Sequence, residues 1–439
     1  MRLLLFGFFA LALMSAPSHA SDDLRDAVKA DYGYLFDLYK HFHTHPELSF
    51  QEQESAKRLS KELMGLGFEV SMGVGGHGVV AVLKNGDGPT VLIRTDTDAL
   101  PVTEQTGLPY ASTAKAKEQT GREVDVMHAC GHDVHMTVWT GTARRLAAMK
   151  DKWAGTLVMI GQPAEERGAG ARAMLNDGLF TRFPRPDMNL ALHVSANLEA
   201  GRIGYAEGFA MANVDMVDIA VLGVGGHGAY PHATKDPIML AANIITTLQT
   251  LVSREVSPLD PAVVTVGSIH GGEKHNVISN RVDLQLTVRS YKDEVRKTLM
   301  DGIARIAKSE ALALGFPKDK MPIIKVRDEY TPAAYNTPAL VQRLRPVWQA
   351  RFGEGRVVKM DPVMGGEDFG RYGRQEPRIP SFMFSLGAVD PATMAAAKAA
   401  NEKLPSLHSS RFAPLPEPTI TMGVEAMTAA ILEVLAPEN

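Results

Sequence analysis

Between Val214 and Val326 the spacing of apolar residues changes period in an order that few folds accommodate. The pattern predicts a strand (Val214–Val221), a helix (Pro237–Val252), two strands (Val263–Ile269 and Val282–Val288), a helix (Glu294–Leu314) and a last strand (Pro322–Val326). This is the ferredoxin-like β-α-β-β-α-β order. Asp236-Pro237 is a helix start with proline in the first turn. Val282, Leu284, Leu286 and Val288 alternate with Arg281, Asp283, Gln285, Thr287 and Arg289, so that strand has one dry and one wet face.

The sequence around this block follows a different rule. Val28, Tyr32, Leu35, Tyr39 and Phe42 form the stripe of an amphipathic helix, and a second helical stretch runs from Glu52 to Leu66. Short apolar runs at Val79–Leu83, Val91–Arg94, Leu157–Ile160 and Leu190–Val194 then alternate with helical segments, which predicts an α/β unit with a largely parallel sheet. Helical periodicity resumes at Thr337-Pro338 and closes with Ile420–Leu435, so the small block is inserted in the larger unit. The expected division is 1–20, 21–210, 211–328 and 329–439.

Residues 1–20 read as a secretory signal: Arg2, an apolar run from Leu3 to Met14, and the small-residue site Ser18-His19-Ala20. The expectation is an exported chain beginning near Ser21, periplasmic or secreted, with no membrane insertion after cleavage. Cys130 is the single cysteine, so no intrachain disulfide forms. A lone thiol in an oxidising compartment is buried and inert, paired with another chain, or held as a thiolate by a metal. A formal net charge of -4 gives no electrostatic reason to expect nucleic acid or anionic lipid, and a small molecule is the better partner.

The densest chemistry is MHACGHDVH, which puts His128, Cys130, His132, Asp133 and His135 within a few positions of one another. Thiolate, imidazole and carboxylate together are the ligand set of zinc and similar divalent ions. QPAEERGAG follows a predicted strand, where α/β sheets bind ligands. Of Glu165 and Glu166, one can coordinate an ion while the other accepts a proton from water. His193 at a strand end and His408 in LHSSRF complete five ligands, enough for two open-sided ions.

These motifs, with HPELSFQE (His45–Glu52), RTDTDALP (Arg94–Pro101), GGHGAYPH (Gly225–His232), HGG (His270–Gly272) and GGEDF (Gly365–Phe369), resemble the metal-dependent aminoacylase and carboxypeptidase family of dinuclear metallopeptidases, which includes hippurate hydrolases and auxin-conjugate amidohydrolases. The resemblance spans nearly all of the chain after residue 20. It implies a catalytic domain interrupted by a lid and dimerisation domain, and two divalent ions (zinc, manganese, cobalt or nickel) on Cys130, His132, Glu166, His193 and His408. Glu165 is then the general base, Asp98 supports the metal shell, and the lid's His227 stabilises the oxyanion, in dimeric members from the partner chain. Asn276, Arg289, Gly365 and Gly366 fall where similar enzymes hold the substrate. The implied reaction is hydrolysis of N-acyl amino acids or similar conjugates by a homodimer. A dipeptidase is the close alternative, with Glu367 or Asp368 receiving a free substrate amine, and a noncatalytic binding protein that kept the metal site is the remote one. The chain departs from the pattern at Ser279 and at Ser409-Ser410, where proline is common, and at Val224, where lysine is.

Overall fold

The computed structural model describes residues 19–328 and 330–437. The expected signal segment lies outside the described residues except for the backbone of His19 and Ala20, which open the first helix, His19–Thr44. Among the described residues no helix is long and apolar enough to cross a membrane.

The larger sheet has eight strands in the spatial order Glu69–Val74, Gly78–Asn85, Gly155–Gln162, Thr90–Asp96, Met188–Glu199, Ser381–Val389, Ile203–Tyr205 and Val357–Lys359. Its centre, from Gly155–Gln162 to Ser381–Val389, is parallel. The flanks are less uniform. Glu69–Val74 and Gly78–Asn85 are joined by a tight turn and therefore pair antiparallel, and antiparallel pairings also link Gly78–Asn85 to Gly155–Gln162 and Ser381–Val389 to Ile203–Tyr205.

Alternation along the central strands serves two cores. Val91, Ile93, Leu157 and Met159 pack with residues of the helices His19–Thr44, His132–Ala148 and Pro416–Val434. Leu92, Val158 and Ile160 point the other way, into a cluster with Met174, Leu179 and Tyr372. Both faces are covered, which is why these strands read as apolar runs rather than as alternating ones.

The inserted block forms its own four-stranded antiparallel sheet, ordered Ala262–Gly271, Arg281–Ser290, Asn213–Leu222 and Ile323–Val326. The helices Pro237–Thr250 and Asp293–Ala313 bury Leu240, Ile244, Leu248, Leu299 and Ile303 against Val217, Ile219, Leu284 and Leu286. The first of these helices stops at Thr250 rather than Val252, passing into a wider turn, Leu251–Glu255. Leu251 there sits so close to the facing helix that a Cβ on Gly302 would meet it at 2.2 Å.

Candidate metal centre

Parallel strands end on one side of the large sheet, and backbone dipoles and loops there are free to present polar groups. Thr90–Asp96 leads to Asp98, Gly155–Gln162 leads to Glu165 and Glu166, and Met188–Glu199 carries His193. The loop before the helix His132–Ala148 adds Cys130 and His132. Gly131 turns that loop with φ 78°, and a Cβ there would strike Val194 at 2.6 Å, so the position requires glycine. His408 arrives from a distant loop, tied by its backbone N–H to the Ala129 carbonyl at 2.9 Å.

The donor atoms meet. Cys130 Sγ is 3.5 Å from His193 Nε2, His132 Nε2 is 3.9 Å from Glu166 Oε1, and Glu166 Oε2 is 3.4 Å from His408 Nε2. Neighbouring ligands of one tetrahedral ion stand about 3.4 Å apart, given metal–nitrogen distances of about 2.1 Å. Three sets of mutually close donors overlap here: Cys130 with His132 and His193, Cys130 with Glu166 and His408, and His132 with Glu165 and Glu166. The five residues expected to hold metal are thus brought together, with Glu165 beside them. His132 Nε2 and Glu166 Oε1 are buried and have no hydrogen-bond partner. Buried polar atoms are rarely left so, and a cation between them would satisfy both.

Second contacts orient the donors. His132 Nδ1 lies 2.8 Å from the Asp98 carbonyl and His193 Nδ1 lies 2.7 Å from the Val194 carbonyl, which fixes each ring with Nε2 toward the centre. Asp98 accepts the backbone N–H groups of Glu165 at 3.1 Å and Glu166 at 3.0 Å, and the Ser49 hydroxyl at 2.6 Å. It therefore supports the turn that carries both glutamates. His135 of MHACGHDVH bonds Asp96 through Nδ1 at 2.7 Å and receives the Val194 N–H at 2.9 Å. Asp133 pairs with the buried His43 at 2.7 Å, away from the donor sets.

The electrostatics suit a cation among these donors. Burial, with Glu367 and Glu166 nearby, pushes the Glu165 carboxyl well above the usual range. Burial raises Glu166 to about 7, although His132 opposes the shift. Burial and the charges of Glu166, Glu165 and Asp96 push the Cys130 thiol well up. Against burial, which lowers it, Asp96, Asp98 and Glu166 hold His132 up at about 10. Acids crowded in a dry site and destabilised as anions are what divalent ions neutralise.

Beneath this layer Arg94 is wholly buried and bonds Asp96 at 2.7 Å and Glu367 at 2.8 Å, with Asp368 at 3.4 Å. Gln162 and the Ala171 N–H hold Asp368 at 2.6 and 2.9 Å. Both carboxylates weighed as partners of a substrate amine are thus paired with Arg94. Arg94 and Asp96 stand within RTDTDALP, and their part beneath the centre becomes visible only in the structure. The signal was there, since an arginine and an aspartate close an otherwise apolar strand.

A cleft of ≈ 910 Å³ opens over the centre. Cys130, Glu165, Glu166, His193 and His408 line its floor, Met211, Val214, Met216 and Met383 form an apolar wall, and Arg289, Gly365 and Gly366 stand at one side. Gly366 leaves room there, because a Cβ would meet Val214 at 2.3 Å. Arg289 is held by Thr287 and by the Met364 carbonyl, at 3.1 and 3.2 Å. His227 and Asn276 are exposed on the small unit and do not line the cleft of their own chain.

The sequence pattern of Peptidase family M20/M25/M40 matches residues 92–431. The N-acetylcysteine deacetylase of Bacillus subtilis is 35% identical over 363 residues, covering 82% of this chain and 90% of its own length. The IAA-amino acid hydrolase ILR1-like 4 of Arabidopsis thaliana is 33% identical, covering 80% and 77%. The crystal structure of the Bacillus subtilis YXEP protein, described as a dinuclear metal-binding peptidase of the M20 family, superposes with a TM-score of 0.74 at 30% identity, covering 93% of this chain and 99% of that one. The chain belongs to Peptidase family M20/M25/M40, and with it is a metal-dependent hydrolase.

Proposed function

We propose that the chain hydrolyses the amide bond of small N-acyl amino acids or related conjugates. Cys130, His132, Glu166, His193 and His408 would hold two divalent ions, with zinc, manganese, cobalt and nickel as the candidates. Such ions, when bound, supply a Lewis acid for the scissile carbonyl and make water more acidic. Glu165 takes the proton of the attacking water and passes it to the departing nitrogen, the general acid–base role of a carboxylate placed beside the donor atoms. The observation that carries the reading is the pair of buried, unpartnered atoms His132 Nε2 and Glu166 Oε1 close to the Glu165 carboxyl, which lines the cleft.

Arg289 recognises the carboxylate of the released amino acid. It lines the cleft, burial lowers its pKa, and it has no carboxylate partner among the described residues. A planar, desolvated fork of that kind suits a bidentate anion. His227, exposed and not among the residues lining its own cleft, acts on the oxyanion in the cleft of a second protomer, which makes the small unit a lid and the active form a homodimer. Activity regained on mixing Glu165→Gln with His227→Ala chains would support this, and no recovery after proven subunit exchange would exclude it.

The test is hydrolysis of N-acyl amino acids and matched dipeptides by protein loaded separately with each of the four ions. Release of amino acid from the acylated series is the expected result. Hydrolysis of dipeptides alone, or of neither series with any ion, would overturn the reading.

A further inference from the structure

The motif His45–Glu52 has no part in the chemistry described so far, yet it is built against the turn that carries Glu165 and Glu166. Leu48 bridges Ala99, and the Glu47 carbonyl accepts the Ala99 N–H at 2.7 Å. Ser49 fixes Asp98, and the Phe50 ring lies 5.7 Å from the Arg167 guanidinium. At the end of the motif Glu52 is fully buried and its Oε1 accepts the backbone N–H of Ala164 at 2.7 Å.

Ala164 is the residue before the two glutamates, and it is left-handed, with φ 50° and ψ 41°. A residue with a Cβ adopts this conformation only when its surroundings impose it. Three successive N–H groups, of Ala164, Glu165 and Glu166, all end on carboxylate oxygens, the first on Glu52 and the other two on Asp98. Nothing else in the site meets the Ala164 N–H. The other oxygen of Glu52 is buried without a partner, and the carboxyl is anchored in its own loop by the backbone at Phe50 and Glu52 as well as by Ala164.

We infer that Glu52 is a positioning residue for the reaction: by holding the left-handed backbone of Ala164 it aims the Glu165 and Glu166 side chains, and what it must offer is an acceptor oxygen at that distance. This rests on the roles proposed above for Glu165 and Glu166. A glutamine keeps the acceptor without the charge, an aspartate keeps the charge but withdraws the acceptor, and a leucine removes it.

The variants Glu52→Gln, Glu52→Asp and Glu52→Leu, fully loaded with metal and held well below their melting temperatures, test the inference. Glu52→Gln should stay within about threefold of the parent kcat. Glu52→Asp and Glu52→Leu should fall roughly tenfold to a hundredfold in kcat, the scale of a sub-ångström to ångström misplacement, with KM little changed. The visible spectrum of the cobalt(II)-loaded protein should shift in the Asp and Leu variants and match the parent in Gln, since Glu166 moves with the turn. That readout does not depend on any substrate, so it separates failure of this inference from failure of the proposed reaction. Should Glu52→Leu not fold, the Gln and Asp pair decides alone. An active Asp variant beside an impaired Gln variant would show that charge matters, and unchanged kcat and spectrum in Asp would show that nothing is positioned. Either overturns the inference.

Discussion

The core of the small sheet and the polar end of the large one bury their side chains by opposite means. In the small sheet Leu284, Leu286, Ile244 and Ile303 belong to one wholly apolar cluster. At the end of the large sheet Arg94, Asp96, Asp98, His132, Glu367 and Asp368 are buried together, each at 2% exposure or less. The first arrangement is stabilised by the removal of apolar area from water and tolerates imprecision. The second is stable only while each charge has its partner. The difference marks the charged end as the candidate site, because crowded buried carboxylates gain from a nearby cation and apolar packing does not.

The sharpest way to break that contrast is Glu165→Gln, which leaves the five proposed metal ligands in place and removes the base. Turnover should fall by roughly 10²–10⁴-fold with metal content unchanged by elemental analysis. Loss of metal with that variant would mean that Glu165, not Glu166, is the ligand.

Next in size is a matched pair of stability variants. Arg94→Met leaves Asp96, Glu367 and Asp368 without their cation and should cost about 3–5 kcal/mol in denaturant unfolding. Leu284→Ala should cost about 2–5 kcal/mol by leaving a cavity. The discriminating measurement repeats both after the ions are stripped. The Arg94→Met deficit should grow, because bound ions share the neutralisation of the same carboxylates, and the Leu284→Ala deficit should not move. Equal responses would erase the distinction drawn here.

A smaller effect belongs to Arg289→Ala, which should lower kcat/KM for a free-acid substrate by roughly 10- to 150-fold, the worth of a charge-assisted hydrogen bond. The methyl ester should lose far less. Parallel losses for acid and ester would remove Arg289 as the carboxylate anchor.

The smallest concerns a charged contact outside the metal centre. His43 is buried between Asp133 at 2.7 Å and Glu104 at 3.1 Å. Burial lowers its pKa, but the two carboxylates raise it further, from 6.5 to about 10. A histidine whose pKa is raised by folding stabilises fully below its unfolded pKa and loses that contribution as pH climbs through the folded one. The stability difference between the parent and His43→Gln should therefore be constant below about pH 6.5 and shrink toward pH 10. A difference that stays flat across that window would show that His43 is not charged in the folded protein.

Much of this was legible in the sequence, for a reason that can be stated residue by residue. The alternation at Val282–Val288 and the stripe Val28, Tyr32, Leu35, Tyr39 and Phe42 record which neighbours share a face, and this depends only on backbone period. Asp236 caps its helix by accepting the Ile238 N–H at 2.8 Å, as its place before Pro237 suggested. The antiparallel flanks of the large sheet were not legible, because strand pairing depends on which segments meet and not on the pattern within either.

The centre divides in the same way. That Cys130, His132, Glu165, Glu166, His193 and His408 are the candidates for the chemistry followed from their types, their crowding and their resemblance to a family. By itself the sequence determined the inventory of donors and the two kinds of sheet. Only the tertiary structure decided that Glu367 and Asp368 belong to Arg94, that Asp98 receives two backbone N–H groups, and that Glu52 reaches Ala164. Hydrogen bonds and ion pairs require an approach of about 3 Å and a fixed direction, and for residues as far apart in the chain as Glu52, Ala164 and His408 no local spacing sets either. Packing the helices on both faces of the sheet does.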